Sequence, residues 1–286
     1  MRIDLQLHST YSDGYLAPRE LVDFIHGHGV KVAALTDHNT VAGLAEFRQA
    51  CLKRGIRPIV GMELYVKLRS RKFNLLWFNF DEKSPELHEL LRNTQVRRKA
   101  RIRTILKKLN GRGFRIDINK ILDRYNHYVA INHLVDDILK NPFNRKKIQR
   151  ELHSKKPREE EIITAYFYNP EIGRLFETYV NIERIVRLRK KIGGQLILNH
   201  PGKYNQLQKN FLSSLKKLGL DGMEVLSPHH SIGAVMYAQF MAEELGFMMT
   251  GGSDFHKFEG NQPIRDSLDY FQIDSAHLKG IEEVIG

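Results

Sequence analysis

Hydrophobic residues over the first 80 positions recur in short strand-like runs separated by stretches of helical periodicity. Ile3-Asp4-Leu5-Gln6-Leu7-His8 alternates apolar and polar side chains, which predicts a strand. It runs into Ser9-Thr10-Tyr11-Ser12-Asp13-Gly14, a turn-rich loop. Pro18 opens a predicted helix reaching about His28, with Gly29 as its stop. Val30-Lys31-Val32-Ala33-Ala34-Leu35-Thr36 reads as a buried strand, and Thr40 is placed to cap a helix from Val41 to Arg54 that Gly55 ends. Arg57 to Leu64 and Phe73 to Phe80 predict two more strands. Strand, helix, strand in this order predicts parallel βαβ units.

The pattern changes at Pro85. Leu87, Leu90, Leu91, Ile102, Ile105, Leu106 and Leu109 recur at helical spacing among arginines and lysines, and further helical segments are broken at Pro142, Pro157 and Pro170. Strand-like runs return at Gln195–His200, Gly222–Leu226 and Gly246–Thr250. The pattern therefore predicts a barrel-like body of residues 1–84 and 192–286, interrupted by a helical insertion over 85–191.

Composition narrows the function classes. Of 286 residues, 42% are apolar and 27% charged, enough for a real core. No run approaches the roughly 18 to 20 apolar residues of a membrane span. The start of the chain lacks the pattern of a secretory signal, and Cys51 is the only cysteine, which excludes an internal disulfide framework and any cysteine-type zinc module. A cytoplasmic location is expected. The net charge of +12 favours a polyanionic partner or a phosphorylated substrate. Arg92 to Arg158 alone holds 20 basic against 5 acidic residues, so the insertion carries the excess.

Histidines and carboxylates fall at the ends of the predicted strands. His8 and Asp13 follow the first, Asp37 and His38 the second, and Glu63 lies near the end of the third. His200 ends the strand after the insertion, while Asp254 and His256 follow the last. The C-terminal ends of parallel barrel strands share one face, so these residues would meet in one cleft. Imidazole and carboxylate without thiolate suit zinc, manganese or iron. Carboxylates such as Glu63 can bridge two metals roughly 3.5 to 4 Å apart, an arrangement that activates water against a phosphoryl group.

Leu7-His8-Ser9-Thr10-Tyr11-Ser12-Asp13-Gly14, Thr36-Asp37-His38-Asn39-Thr40, Gly61-Met62-Glu63, Asn199-His200-Pro201-Gly202 and Gly252-Ser253-Asp254-Phe255-His256 together resemble the PHP (polymerase and histidinol phosphatase) family. The resemblance implies an α/β fold, a distorted (β/α)7 barrel with an α-helical insertion, and a catalytic centre of up to three metals. The insertion before His-Pro-Gly resembles the branch of nucleoside 3′,5′-bisphosphate phosphatases and 5′-3′ exoribonucleases.

Carried onto this chain, the resemblance implies that Asp13, His38 and His256 bind one metal and that His8, Glu63 and Asp254 bind a second. Glu63 would bridge to a third position completed by His200. Asp37, His200 and Asp254 are the candidate catalytic residues. Asp37 reads either as the orienter of an imidazole or as a turn aspartate. Two positions depart from the family: Gln6 stands for the first histidine of His-x-His, and Asn74 for a histidine on the fourth strand. Both are weaker ligands. The expected cofactors are thus two or three divalent ions (Mn, Zn, Fe or Mg), or fewer.

Ser12, Lys203, His133, His229 and His230 are candidate substrate contacts. Ile131 stands where that branch often has an arginine, which leaves Lys203 as the phosphate cation or else a solvated loop lysine. His229 and His230 could contact substrate, supply a proton, or simply sit in a loop. Arg97, Arg98, Lys99, Arg101, Arg103, Lys107 and Lys108 lie close together on one helix and could track a nucleic-acid backbone. Tyr125, Tyr128, Tyr166, Phe167 and Tyr168 would offer stacking surfaces or else form core. The expected activity is hydrolysis of phosphate esters of nucleotides, nucleoside bisphosphates or short oligonucleotides through a metal-activated water. The alternative is a catalytically weakened PHP-like module that binds nucleic acid or regulates a partner.

Overall fold

Short strands alternate with amphipathic helices at both ends of the chain. In the computed structural model, which describes residues 1–257 and 271–286, the order begins β1 (Arg2–Leu7), α1 (Pro18–Gly27), β2 (Val32–Leu35), α2 (Leu44–Lys53), β3 (Arg57–Leu68) and β4 (Arg71–Phe78). Helices α3 (Pro85–Gly111), α4 (Ile118–Leu122), α5 (Ile131–Leu139), α6 (Pro142–Glu151) and α7 (Glu159–Tyr166) follow. The chain returns through β5 (Val180–Asn181), α8 (Ile182–Ile192), β6 (Gln195–Leu198), α9 (Lys209–Leu218), β7 (Gly222–Leu226), α10 (Ile232–Leu245), β8 (Met248–Gly251), β9 (Ile273–Asp274) and α11 (Glu282–Ile285).

Residues 1–89 and 179–286 form one compact unit, and residues 90–178 a second. In the first, the strand order is β8-β7-β6-β4-β3-β2-β1-β9. This sheet curls into a nearly closed barrel: His8 N–H donates to Phe255 O at 3.1 Å, joining β1 to the segment after β8. Gly252 permits that approach, because a Cβ there would lie 2.3 Å from the Gln6 Cβ.

Burial does not alternate along β1, where every residue from Ile3 to Leu7 is buried. Leu7 packs against Leu21, Val22 and Ile25 of α1, while Asp4 and Gln6 bond inward to Ser253 and Asp254. The polar face of the strand is buried because it lines the barrel interior.

The β1, β2 and β3 pairings are parallel, as βαβ units require. Strand β4 departs from the parallel expectation and runs antiparallel to both β3 and β6. Leu68 pairs with Arg71, so only Arg69 and Ser70 join β3 to β4, and Arg69 takes a positive φ of 56°. A connection this short can join only antiparallel strands. Strand β3 consequently runs beyond the expected Leu64, to Leu68. Helix α2 starts at Leu44 rather than Val41, and the Thr40 hydroxyl accepts from Ala42 N–H in the preceding turn at 3.2 Å. Cys51 is buried on α2, and burial pushes its thiol up to about 12, consistent with a packing role.

The second unit packs its helices around Ile102, Leu106, Leu134, Val135, Ile148 and Phe167. Helix α8 belongs instead to the barrel unit, although periodicity and charge group it with the insertion. Helical periodicity cannot distinguish a helix that covers a barrel from one in an inserted bundle. No helix among the described residues is long and apolar enough to cross a membrane.

Candidate metal centre

The period of two along β1 carries Asp4, Gln6 and His8 onto the interior face. His8, fully buried, places Nε2 3.2 Å from both Glu63 Oε2 and Asp254 Oδ1. Its Nδ1 lies 3.6 Å from Asp13 Oδ1. Asp13 in turn stands 3.4 Å from His38 Nε2 and 3.3 Å from His256 Nε2. His38 Nδ1 is 3.7 Å from Glu63 Oε2, and His200 Nε2 is 3.6 Å from Glu63 Oε1. The His8 and His256 rings stack with centroids 4.1 Å apart, and His38 stacks on Tyr65 at 4.6 Å.

Two overlapping donor groups result: His8, Asp13, His38 and His256, and His8, Glu63 and Asp254, with donor atoms within 4.8 Å of one another in each. Glu63 reaches them from inside β3 rather than from its end, because β3 continues into the hairpin with β4.

Backbone geometry holds these side chains in place. His200 and Asp254 take positive φ values of 24° and 51°, a conformation that costs a non-glycine residue about 1–3 kcal/mol and concentrates at functional sites. Gly14 lets the first loop fold back under β1, since a Cβ there would lie 2.2 Å from His8 O.

Burial opposes charge on His8, Asp13, Glu63, Asp254 and His256, but the opposite charges outweigh it. Contacts with Asp254 and Glu63 raise the His8 imidazole well above its ordinary range despite burial. His38, His256 and His8 hold Asp13 low, and the same imidazoles with His200 and His229 hold Glu63 and Asp254 low. His8 Nε2, Glu63 Oε2 and His200 Nδ1 are nevertheless buried without a hydrogen bond. The first two converge at 3.2 Å, which is costly for a polar pair alone. A divalent cation satisfies such a set of nitrogen and oxygen donors.

Gln6 and Asn74 contribute differently. Asn74 Nδ2 donates to Glu63 Oε1 at 2.6 Å, as Asn199 Nδ2 does at 2.8 Å. Gln6 Nε2 donates to Asp254 Oδ1 at 2.9 Å. Each amide thus presents hydrogens to a carboxylate, and Gln6 Oε1 is left buried without a hydrogen bond.

Asp37 orients the first loop, not an imidazole. Its carboxylate accepts from Ser9 N–H at 2.7 Å, from Ser9 Oγ at 2.6 Å and from Ser12 Oγ at 2.6 Å. Ser12 is accordingly buried between Asp37 and Asp13, which removes it from direct contact with a substrate.

Two further carboxylates were not singled out by the sequence reading. Glu224 on β7 accepts the His200 N–H at 3.0 Å, and burial, reinforced by Asp254, pushes its carboxyl well above the usual range. Asp4 accepts from Ser253 N–H at 2.9 Å and from Gln6 N–H at 3.2 Å. The signal for Glu224 is an acidic residue inside an otherwise apolar strand run, whereas Asp4 takes one polar place in the alternation of β1.

At the rim, His229 Nε2 lies 2.5 Å from Asp254 Oδ2 and 3.2 Å from Lys203 Nζ. Lys203 Nζ is 3.8 Å from the same Asp254 oxygen. One ring nitrogen carries at most one proton, so His229 either donates to Asp254 or accepts from Lys203. His230 differs: Nδ1 faces Val225 O at 2.9 Å and Nε2 accepts from Gly202 N–H at 3.0 Å. With both nitrogens spent on backbone, it braces the loops rather than contacting substrate.

His133 lies on α5 in the second unit, outside this cluster. Arg97, Arg98, Arg101 and Lys107 lie on α3, and two of them are committed internally. Arg98 is buried, pairs with Glu177, donates to Val129 O at 2.6 Å and covers the Tyr128 ring. Arg101 donates to the Phe176 and Glu177 carbonyls at 2.9 and 3.1 Å. Tyr125, Tyr128, Tyr166 and Phe167 are buried, and of the five expected aromatics only Tyr168 is exposed.

A model of the PHP domain matches residues 4–224. A phosphoribosyl 1,2-cyclic phosphate 1,2-diphosphodiesterase of Eggerthella lenta is 28% identical, over 91% of this chain and 96% of that protein. A 5′-3′ exoribonuclease of Haemophilus influenzae is 28% identical, over 89% and 90%. A 3′,5′-nucleoside bisphosphate phosphatase of Chromobacterium violaceum is 27% identical, over 89% and 87%. Among solved structures, a chain of Bifidobacterium adolescentis assigned as a metal-dependent phosphoesterase shares the fold, with a TM-score of 0.72 at 20% identity over 94% of each chain.

Proposed function

The chain belongs to the PHP domain family, and from that premise we propose that it is a metal-dependent phosphoesterase acting on nucleotides, nucleoside bisphosphates or short oligonucleotides. The observation that carries this reading is the convergence of His8 Nε2, Glu63 Oε2 and Asp254 Oδ1 at 3.2 Å with the first two left without a hydrogen bond. The similarity to a bisphosphate phosphatase and an exoribonuclease supports the substrate class.

Asp13, His38 and His256 would hold one cation, and His8, Glu63 and Asp254 a second. We assign two rather than three, because Glu63 Oε1 already receives amide hydrogens from Asn74 and Asn199. His200 stays beside Glu63 as a ligand at the edge of the second position. When bound, such cations lower the pKa of water and screen phosphoryl oxygens.

The remaining groups bind and orient. Lys203, partly exposed beside Asp254, supplies a positive charge for a phosphate oxygen. His229 shares that oxygen of Asp254 and lies within reach of a leaving oxygen. Glu224 fixes the His200 backbone, and Asp37 fixes the loop that carries Asp13. Seven retained donor side chains argue against the weakened-module alternative, since that alternative needs none of them.

The test is phosphate release from adenosine 3′,5′-bisphosphate, AMP and a 5′-phosphorylated short RNA with manganese added. Release that Asp254→Ala blocks establishes the phosphoesterase, and the preferred substrate identifies its class. No release with any of several metals overturns the reading.

A further inference from the structure

Only part of the charge that clusters in sequence on α3 is free. On α3, Arg98 is buried and Arg101 holds backbone carbonyls, while Arg103 donates to Asn119 Oδ1 at 2.6 Å. Arg97, Lys107 and Lys108 of α3 stay exposed, and a second exposed run lies on α6 and its flanks. From Asn141 to Arg158 there are 7 basic residues and one acidic residue, Glu151, which pairs with Lys147 at 2.7 Å. Arg115, Arg145, Lys146, Arg150 and Lys155 are exposed, and none makes an ion pair among the described residues.

An aromatic ring sits within this charge. Phe143 is 39% exposed, and the Arg115 guanidinium stacks over it at 3.9 Å. In the same helical unit the tyrosines Tyr125, Tyr128 and Tyr166 are buried, so Phe143 is not simply surplus core.

The scaffold beneath is fixed rather than loose. Buried Asn144 accepts from Arg115 N–H at 2.8 Å and donates to Arg115 O at 2.9 Å, and Asn141 adds a second donor to that carbonyl at 3.2 Å. Gln149 donates to Lys155 O at 2.7 Å, tying the following loop to the helix. Phe143, Lys146 and Arg150 fall on one face at helical spacing, a stripe about 10 Å long.

We infer that α6 and Arg115 form a binding surface for single-stranded nucleic acid, with Phe143 stacking one base and Lys146, Arg150 and Lys155 following the backbone. A stacking ring flanked by unpaired cations is the chemistry such strands require and duplexes do not. The inference deepens the oligonucleotide part of the proposed substrate range and rests on that reading.

Binding of a fluorescent unstructured RNA oligonucleotide to the full-length protein in EDTA separates this surface from hydrolysis. Phe143→Ala should weaken binding roughly tenfold. Lys146→Ala with Arg150→Ala should lower the slope of log affinity against log salt by about 1.4, for two lost phosphate contacts. Hydrolysis of adenosine 3′,5′-bisphosphate by the same variants should be unchanged, which also shows that they fold. Wild-type protein that hydrolyses the bisphosphate but does not bind the oligonucleotide overturns this inference alone. Equal binding by wild type and all variants overturns it too. Salt-sensitive binding lost in the variants, with no hydrolysis of any substrate, supports the surface and defeats the phosphoesterase.

Discussion

Asn74 Nδ2 donates to Glu63 Oε1 at 2.6 Å, across the β3–β4 hairpin in which Tyr65 pairs with Asn74. With Asn199 on the same oxygen, one side of the carboxylate holds two neutral donors with His200 Nε2 3.6 Å away, while Oε2 faces His8 and His38. In the proposed two-cation arrangement, a carboxylate so held keeps its orientation and does not bridge to a third cation.

Asn74→His removes that amide and restores an imidazole lone pair beside Glu63 Oε1. After loading with manganese and desalting, the wild type should hold two ions per chain and the variant three, counted by elemental analysis. A variant that still holds two would mean that Asn74 does not limit the metal count.

Asp254→Ala and His38→Ala each remove one donor from a different one of the two proposed cation positions. Loss of a cation forfeits several kcal/mol of charge stabilisation, so turnover should fall by at least about a hundredfold. Circular dichroism should remain that of the wild type. Either variant with wild-type turnover would rule out the assigned ligands.

Much of this centre was legible because polar residues at the ends of apolar runs have few uses inside a barrel. His8, Asp13, His38, Glu63, His200, Asp254 and His256 stand out for that reason. Asp37 and Asp254 look alike in sequence, however, and only loop packing turns the first toward Ser9 and Ser12. Asp4 hides within β1, where alternation gives it the appearance of a solvent-facing position, although it is buried. Adjacent Arg97 and Arg98 differ only in which side of α3 meets Tyr128 and Glu177, a tertiary fact. The reversal at β4 was not legible, because Arg69-Ser70 lacks the Asn-Gly or Asp-Gly of a tight hairpin.

The internal role of Arg98 has a measurable consequence. Its guanidinium is buried against Tyr128, and truncation unpairs the Val129 carbonyl and leaves Glu177 with the Tyr128 hydroxyl at 3.1 Å. Breaking one side of a buried pair costs about 3–5 kcal/mol. Arg98→Ala should therefore lower the unfolding free energy by about 3 kcal/mol in urea, whereas Arg97→Ala, an exposed neighbour, should change it by less than about 0.5. Equal effects would return Arg98 to the surface.

Asp4 makes stability depend on pH with a definite sign. Burial, reinforced by Asp254, raises its carboxyl to about 6, although bonds from Ser253 and Gln6 pull the other way. The unfolded value is about 3.9. Folding therefore favours the protonated form, and the associated stabilisation is complete below about pH 4 and lost as pH climbs through 6. By pH 8 the buried charge costs up to about 3 kcal/mol. Asp4→Asn keeps an oxygen for the Ser253 and Gln6 N–H groups and carries no charge. In EDTA, which removes cations that would themselves favour the carboxylate, the variant should melt several degrees above wild type at pH 8. That advantage should shrink toward zero near pH 4, and a gain independent of pH would mean that Asp4 is not protonated by folding.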